Sequence, residues 1–180
     1  DKLVEITAPG LDKVFLLTTG SESTENAIKL ARTYGMKVGG PTKSVLISFE
    51  NGFHGRTMAA QLAGGSPGQK AWIGERDPRF VQVPFPDGYW GEDTSFEGFL
   101  KSLEEQGVRP GDVCGVISET YQGATAAFMP TAYAQRLRQW CTEQDALLIL
   151  DEVQAGFGRT GKMFGYEHYG ITPDLICCGK

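Results

Sequence analysis

The sequence predicts an α/β fold with three layers, α/β/α, in which helices cover both faces of a mostly parallel β-sheet. Short continuous apolar runs, typical of strands buried on both faces, alternate with longer segments of helical periodicity. Hydrophobic residues make up 41% of the 180 residues and charged residues 22%. This balance is typical of a folded globular chain with about one domain.

Apolar runs mark the predicted strands. Residues 13–18 (KVFLLT) and 44–49 (SVLISF) are typical of buried strands, and residues 146–150 form a strongly apolar run. In chain order, the predicted strands cover residues 13–18, 44–49, 79–83, 113–118, 146–150 and 174–178.

Helical periodicity marks the segments between the strands. Thr19 and Glu22 have the spacing of a capping box at the start of the first long helix, and Gly107 is expected to end the third. The first long helix is expected to present Ala27, Leu30, Ala31, Tyr34 and Val38 on one face. The predicted helices cover residues 21–37, 56–63, 96–106 and 131–145.

Composition and charge exclude several classes of function. The net charge of −5 and the lack of a Lys/Arg-rich run argue against nucleic-acid binding, and no apolar run is long enough to span a membrane. The two histidines are too few and too scattered to predict a metal site. Four cysteines without Cys-x-x-Cys spacing are typical of reduced, buried thiols in a cytoplasmic protein.

The ends of the sequence are unusual for a complete domain. The chain begins without methionine and stops at Gly179-Lys180, directly after a predicted strand. We therefore expect these residues to be part of a longer polypeptide.

Chemically active residues follow the predicted strands. Because the carboxyl ends of parallel strands meet at one edge of a sheet, where ligands bind, we expect these residues to converge. In chain order they are Gly20 and Ser21, residues 51–55, Glu119, Asp151 and Lys180.

Each of these residues has a structural and a functional interpretation. Gly20 and Ser21 form either a turn with a helix cap or a phosphate site made of helix amides and a hydroxyl. Asp151 pairs either with an arginine or backbone donor, or with a protonated ring nitrogen. Lys180 either extends to solvent or acts as a desolvated amine nucleophile. The turn Phe53-His54-Gly55 holds a packed aromatic ring or a flat surface for a cofactor.

Residues 147–162 contain an imperfect match to a nucleotide-binding motif. LLILDE resembles a Walker B strand, and GFGRTGK nearly matches a Walker A loop, but Met163 stands where Ser or Thr would bind magnesium. The two segments are also in the wrong order for a P-loop, so we exclude a nucleotide triphosphatase.

Three longer segments resemble the class III aminotransferases, which have the pyridoxal-phosphate (PLP) fold type I. They are LLTTGSESTENAIKLAR at 16–32, FENGFHGRT at 49–57, and LLILDEVQAGFGRTGKMFGYEHYGITPDLICCGK at 147–180. The resemblance runs in the same order over nearly the whole chain. It implies that residues 1–180 are most of the PLP-binding large domain, with a further N-terminal part and a C-terminal small domain lying outside this sequence.

The resemblance implies two catalytic residues. Lys180 would hold PLP as a Schiff base and carry a proton between the substrate carbon and the cofactor. Asp151 would pair with the pyridine nitrogen and keep it protonated, which makes the ring an electron sink.

The resemblance also implies a set of cofactor contacts. Gly20 and Ser21 would bind the phosphate, and Phe53 and Val153 would pack on the two faces of the ring. Gln154 would hydrogen-bond the ring hydroxyl side, Glu119 would lie near the ring, and His54 would support the aromatic–His–Gly turn.

The sequence departs from the family pattern after Glu119. Relatives resembling GABA or ornithine aminotransferases carry Gln-Gly-Glu-Gly there, whereas residues 122–125 are Gln-Gly-Ala-Thr. Ala124 thus replaces a glutamate that switches an arginine between two substrates, which argues against that switch. Thr120 in place of the usual proline is a minor difference.

The implied activity is transfer of an amino group from an amino acid or amine to a 2-oxo acid, in a homodimer that binds neither nucleic acid nor membrane. Two alternatives stay open. The same fold serves PLP-dependent decarboxylases and aminomutases, and a non-catalytic domain could retain it, although such a domain would not need Lys180, Asp151 and Gln154 together.

Overall fold

The computed structural model describes residues 2–179 and contains one five-stranded sheet in the order β2-β1-β3-β4-β5. Every neighbouring pair of strands is parallel, so all five carboxyl ends lie at the same edge. The strands are β1 (Val45–Phe49), β2 (Phe80–Val83), β3 (Val113–Glu119), β4 (Leu147–Asp151) and β5 (Leu175–Cys177).

Helices cover both faces of this sheet, which confirms the predicted three layers. The α-helices are α1 (Lys2–Ile6), α2 (Gly20–Gly39), α3 (Met58–Ala63), α4 (Phe96–Glu105) and α5 (Thr131–Glu143). Short 3₁₀ helices occupy Gly68–Ile73, Pro110–Asp112 and Gly165–His168.

Strand residues alternate between two apolar cores, one on each face of the sheet. Ile47 and Leu148 face the core built with α4 and α5, whereas Leu46 and Ile149 face the core built with α2 and α3. Because both faces are buried, the strands have the continuous apolar runs that predicted them. The cores fix the strand ends in place.

The predicted strand at residues 13–18 is wrong for the described structure. This segment has no regular secondary structure, and Phe15 and Leu16 are 71% and 80% exposed. A strand needs a neighbour that accepts its backbone hydrogen bonds, and no strand among residues 2–179 pairs with this segment. Residues 13–19 and β5 instead line one apolar groove of about 830 Å³.

The start of α2 is confirmed, but its buried face differs from the prediction. The Thr19 side chain accepts a hydrogen bond from Glu22 N, and the Glu22 carboxylate reaches back to Thr18 N. Leu30 and Val38 are 43% and 45% exposed. The face against the sheet consists of Thr24, Ala27, Ile28, Ala31 and Gly35.

Candidate functional site

Two carboxylates and a histidine meet at the carboxyl edge of the sheet. Glu119 and Asp151 are the last residues of β3 and β4, and they are paired in the sheet register. His54 comes from the turn that follows β1. All three side chains are buried, at 6% exposure or less. An ionisable cluster so far from solvent is typical of a functional site.

Asp151 is held by two donors. His54 Nδ1 lies 2.8 Å from Asp151 Oδ2, and Val153 N donates to Asp151 Oδ1 at 3.0 Å. In the tautomer that carries its hydrogen on Nδ1, His54 donates this hydrogen bond to the carboxylate. The other ring nitrogen, His54 Nε2, is buried and has no hydrogen-bond partner among residues 2–179. The sequence reasoning gave His54 a supporting role, whereas the structure makes it the direct partner of Asp151.

Glu119 organises the backbone around the cluster. Its carboxylate accepts from Phe53 N at 3.0 Å and from Gly123 N at 3.3 Å. Burial raises the pKa of Glu119, and the neighbouring His54 opposes that rise. Glu119 therefore links the turn after β1 to the loop after β3.

Phe53 presents its ring to the open side of the site. The side chain is 43% exposed although its backbone is tied to Glu119. The Arg56 guanidinium lies 5.9 Å from the centre of the ring. Such an exposed ring on an anchored backbone can stack on a flat ligand.

The N-terminus of α2 lies against the same turn. Arg56 N donates to Ser21 Oγ at 3.1 Å, and Gly55 adopts a positive φ of 124°. A Cβ at position 55 would lie 2.4 Å from Ser21 Oγ, closer than real Cβ contacts come, so only glycine fits here. Within residues 2–179, Thr19 satisfies the amides of Glu22 and Ser23.

Val153 and Gln154 contact different parts of the rim of the site, which consists of the residues after β1, β3 and β4 and the start of α2. Val153 is half-buried and packs so tightly on the first turn of α2 that a Cβ at Gly20 would be 2.7 Å from Val153 Cγ1. Gln154 is exposed, and its amide would lie 2.8 Å from a Cβ at Gly123. Lys180 lies outside the described residues.

The structure also reveals residues that the sequence reasoning missed. Thr24 is fully buried within α2, and its hydroxyl lies 2.5 Å from the His54 carbonyl oxygen. Glu25 accepts hydrogen bonds from the Thr57 hydroxyl at 2.7 Å and from Ala60 N at 3.0 Å. A polar residue on the buried face of a helix is the signal that could have identified Thr24.

Glu152 is a buried carboxylate that supports the site. Its carboxylate accepts from the Thr120 hydroxyl at 2.6 Å, from Gly165 N at 2.8 Å and from Tyr166 N at 2.9 Å. Burial is the main factor that raises the pKa of Glu152, against these three donors. The carboxylate thereby ties the segment after Asp151 to the 3₁₀ helix Gly165–His168.

Other chemistries find less support in the described residues. All four cysteines are free, and burial raises the pKa of Cys114 to about 11 and of Cys141 to about 12, which leaves both as thiols. Residues 2–179 contain no group of three or more His, Cys, Asp or Glu side chains arranged to hold a metal ion. In the same range, no helix combines the length and the apolar character of a membrane span.

Comparison with known proteins places this geometry in context. A family model described as aminotransferase class-III matches residues 1–180. An acetylornithine aminotransferase from Gloeobacter violaceus is 39% identical over 174 residues, which is 94% of this chain and 39% of the relative. An acetylornithine/succinyldiaminopimelate aminotransferase from Yersinia pestis is 36% identical over 97% of this chain and 40% of the relative.

Solved structures agree with these matches. A transaminase from the marine bacterium Virgibacillus superimposes with a TM-score of 0.87 at 34% identity, covering 97% of this chain and 39% of that structure. An (S)-enantioselective omega-transaminase from Thermomicrobium roseum gives a TM-score of 0.88 at 31% identity, covering 97% of this chain and 41% of that one. The chain thus spans about two fifths of the length of these proteins.

Proposed function

Because the chain belongs to the class III aminotransferases, we propose that it forms most of the large, cofactor-binding domain of a PLP-dependent aminotransferase. The enzyme transfers an amino group from an amino acid or amine to a 2-oxo acid. The buried His54–Asp151 pair at the end of β4 is the single observation that carries the proposal.

The residues at the rim fit the phosphate of PLP. The first amides of a helix have no partner within it, and within residues 2–179 Thr19 satisfies those of Glu22 and Ser23. The amides of Gly20 and Ser21 are thus suited to an anion, at the positive end of the α2 dipole. Ser21 Oγ accepts from Arg56 N, so its proton is left to donate to a phosphate oxygen.

The carboxylate of Asp151 fits the ring nitrogen. His54 Nδ1 and Val153 N–H hold the carboxylate in one orientation. The Asp151 carboxylate would pair with the pyridine nitrogen of bound PLP and would keep that nitrogen protonated. When bound, PLP supplies an aldehyde that takes up the amino group and a protonated ring that withdraws electrons from it.

Other rim residues orient the ring. Phe53 and Val153 would pack on its two faces, and Gln154 would hydrogen-bond the side that carries the ring hydroxyl. Glu119 fixes Phe53 through the backbone hydrogen bond at 3.0 Å. Lys180 Nζ supplies the amine that retains the cofactor and moves a proton at the substrate carbon.

Substrates, assembly and location are part of the proposal. Relatives named for acetylornithine favour an amino donor with a terminal amine on a short aliphatic chain, and omega-transaminases among the solved structures favour simple amines as a second class to test. We propose a homodimer located in the cytoplasm.

Visible absorbance of the purified full chain tests the proposal. Wild-type protein purified with PLP should be yellow, and Lys180→Ala should lose both the colour and transamination. A panel of N-acetylornithine, ornithine and simple amines, each with pyruvate and 2-oxoglutarate, identifies the substrates. Wild-type protein that retains no visible absorbance after excess PLP has been removed contradicts the assignment.

A further inference from the structure

Thr24 is a polar residue in a position where an apolar one would be expected. It lies on the face of α2 that packs against the sheet and is 0% exposed. Burying a hydroxyl is unfavourable unless it has a hydrogen-bond partner. The side chain must therefore have a contact that an alanine or valine could not make.

The contact of the Thr24 hydroxyl crosses from the helix to the turn after β1. A threonine within a helix usually donates back to a carbonyl of its own helix. Ser21 O and Gly20 O lie within reach, at 3.0 and 3.3 Å, but the His54 carbonyl oxygen is closer, at 2.5 Å. Because the hydroxyl has one proton, the shortest contact identifies His54 as its acceptor.

This contact is one of several hydrogen bonds between α2 and the turn. Ser21 accepts from Arg56 N, Thr24 donates to the His54 carbonyl, and Glu25 accepts from the Thr57 hydroxyl. The Thr24 contact acts on the residue whose side chain holds Asp151. A path of two direct hydrogen bonds thus joins α2 to the end of β4.

We propose that Thr24 is a positioning residue that ties the phosphate end of the cofactor site to its ring-nitrogen end through His54. The inference rests on the proposed function, since it concerns how the same site is held. By fixing the His54 backbone, Thr24 keeps the imidazole aligned with Asp151. Its own side chain is too deeply buried to touch cofactor or substrate.

Thr24→Val is the sharpest test because it removes the hydroxyl and keeps the branched shape. Thr33→Val is the matched control: Thr33 lies on the same helix, is exposed, and donates only to Lys29 O, at 2.8 Å. Thr24→Ser is the conservative variant that retains the donor. The two measurements are the dissociation constant for PLP and the ¹⁵N chemical shift of ring-labelled PLP, which reports protonation of the ring nitrogen.

Thr24→Val should bind PLP about 3- to 10-fold more weakly, the effect of losing one neutral hydrogen bond. Its ring ¹⁵N shift should move toward that of the unprotonated nitrogen, while Thr24→Ser and Thr33→Val resemble wild type. Weaker binding with an unchanged ¹⁵N shift would assign Thr24 a structural role only and overturn the inference.

Two further outcomes are also decisive. If wild-type protein binds no PLP, the proposed function and this inference fall together; if it binds PLP and Thr24→Val matches Thr33→Val, only the inference falls. Should Thr24→Val not fold, Thr24→Cys replaces it, because a thiol is a weaker donor of similar size. An unchanged ¹⁵N shift in that variant overturns the inference as well.

Discussion

Gly55→Ala tests whether Ser21 belongs to an anion site. Gly55 has a φ of +124°, which side chains rarely adopt, and a Cβ there would lie 2.4 Å from Ser21 Oγ and 2.8 Å from Ser21 Cα and Cβ. Real Cβ contacts essentially never fall below 3.0 Å, so Ser21 or the turn must shift by at least 0.6 Å (3.0 − 2.4). That shift moves the first turn of α2 away from any ligand it holds.

The substitution has two separable effects. The strained backbone should cost about 1–3 kcal/mol of folding free energy. The displaced Ser21 should lose one charge-assisted hydrogen bond to the phosphate, a loss of about 1.5–3 kcal/mol in binding. At about 1.4 kcal/mol for each factor of ten, PLP should bind roughly 10- to 100-fold more weakly.

Gly10→Ala is the matched control. Gly10 also has a positive φ, at +97°, but no atom lies within 4 Å of a Cβ placed there. It therefore shares the backbone strain without the contact to Ser21. The assay is titration with PLP, followed by visible absorbance, together with thermal unfolding of the cofactor-free protein for all three proteins.

Gly55→Ala should lose at least as much stability as Gly10→Ala, because it adds the clash with Ser21 to the backbone strain, and only Gly55→Ala should lose affinity. If Gly55→Ala binds PLP as tightly as Gly10→Ala does, Ser21 takes no part in holding the phosphate. Equally weakened PLP binding in both variants would mean that backbone strain alone causes the loss. Ser21 would then again have no part in holding the phosphate.

Three other substitutions test the surrounding structure. Asp151→Asn keeps the shape but removes the charge, so turnover should fall about 10²–10³-fold with little change in melting temperature; near wild-type steady-state rates would exclude the ring-nitrogen role. Glu152→Gln replaces one carboxylate oxygen by an amide donor, which then opposes either the Gly165 amide or the Tyr166 amide, and urea unfolding should show a loss of about 1–3 kcal/mol, whereas an unchanged midpoint would mean that the loop relaxes. Burial, with Arg76 nearby, lowers the pKa of Lys70 to about 8 from its usual 10.5. Between pH 8 and 10.5 the Lys70 amine is still protonated in the unfolded chain but largely unprotonated in the folded one. The stability of wild type relative to Lys70→Met should therefore increase as the pH rises from 8 toward 10.5. A difference in melting temperature that does not change with pH would contradict the lowered pKa.

Most of the sheet could be predicted because its strands are buried on both faces and their apolar runs are continuous. The exception is the segment at residues 13–18, which is as apolar as the true strands. An apolar composition indicates that a segment prefers burial. A strand also needs a neighbouring strand to pair with, and the residues of one segment do not reveal which distant segment pairs with it.

The site residues could be predicted as a set, but their partners could not. Asp151 and Glu119 were identifiable because carboxylates rarely follow apolar strands without a reason. The contact of His54 with Asp151 joins two turns that are distant in sequence, so no local pattern signals it. Thr24 differs, because a polar residue on a buried helix face is a local signal, but its acceptor lies on another element and could not be predicted.

The distances along the chain between the site residues have a consequence for how the protein matures. His54 and Asp151 are 97 positions apart, and Phe53 and Glu119 are 66 positions apart. Contacts of such long range form slowly, because the intervening chain must lose its freedom before they contribute. During synthesis, His54 would contact Asp151 only after β4 had been synthesised and had packed into the sheet. Binding of the cofactor would then require that β1, β3 and β4 have assembled. Peptides that carry single motifs of the site would not bind it.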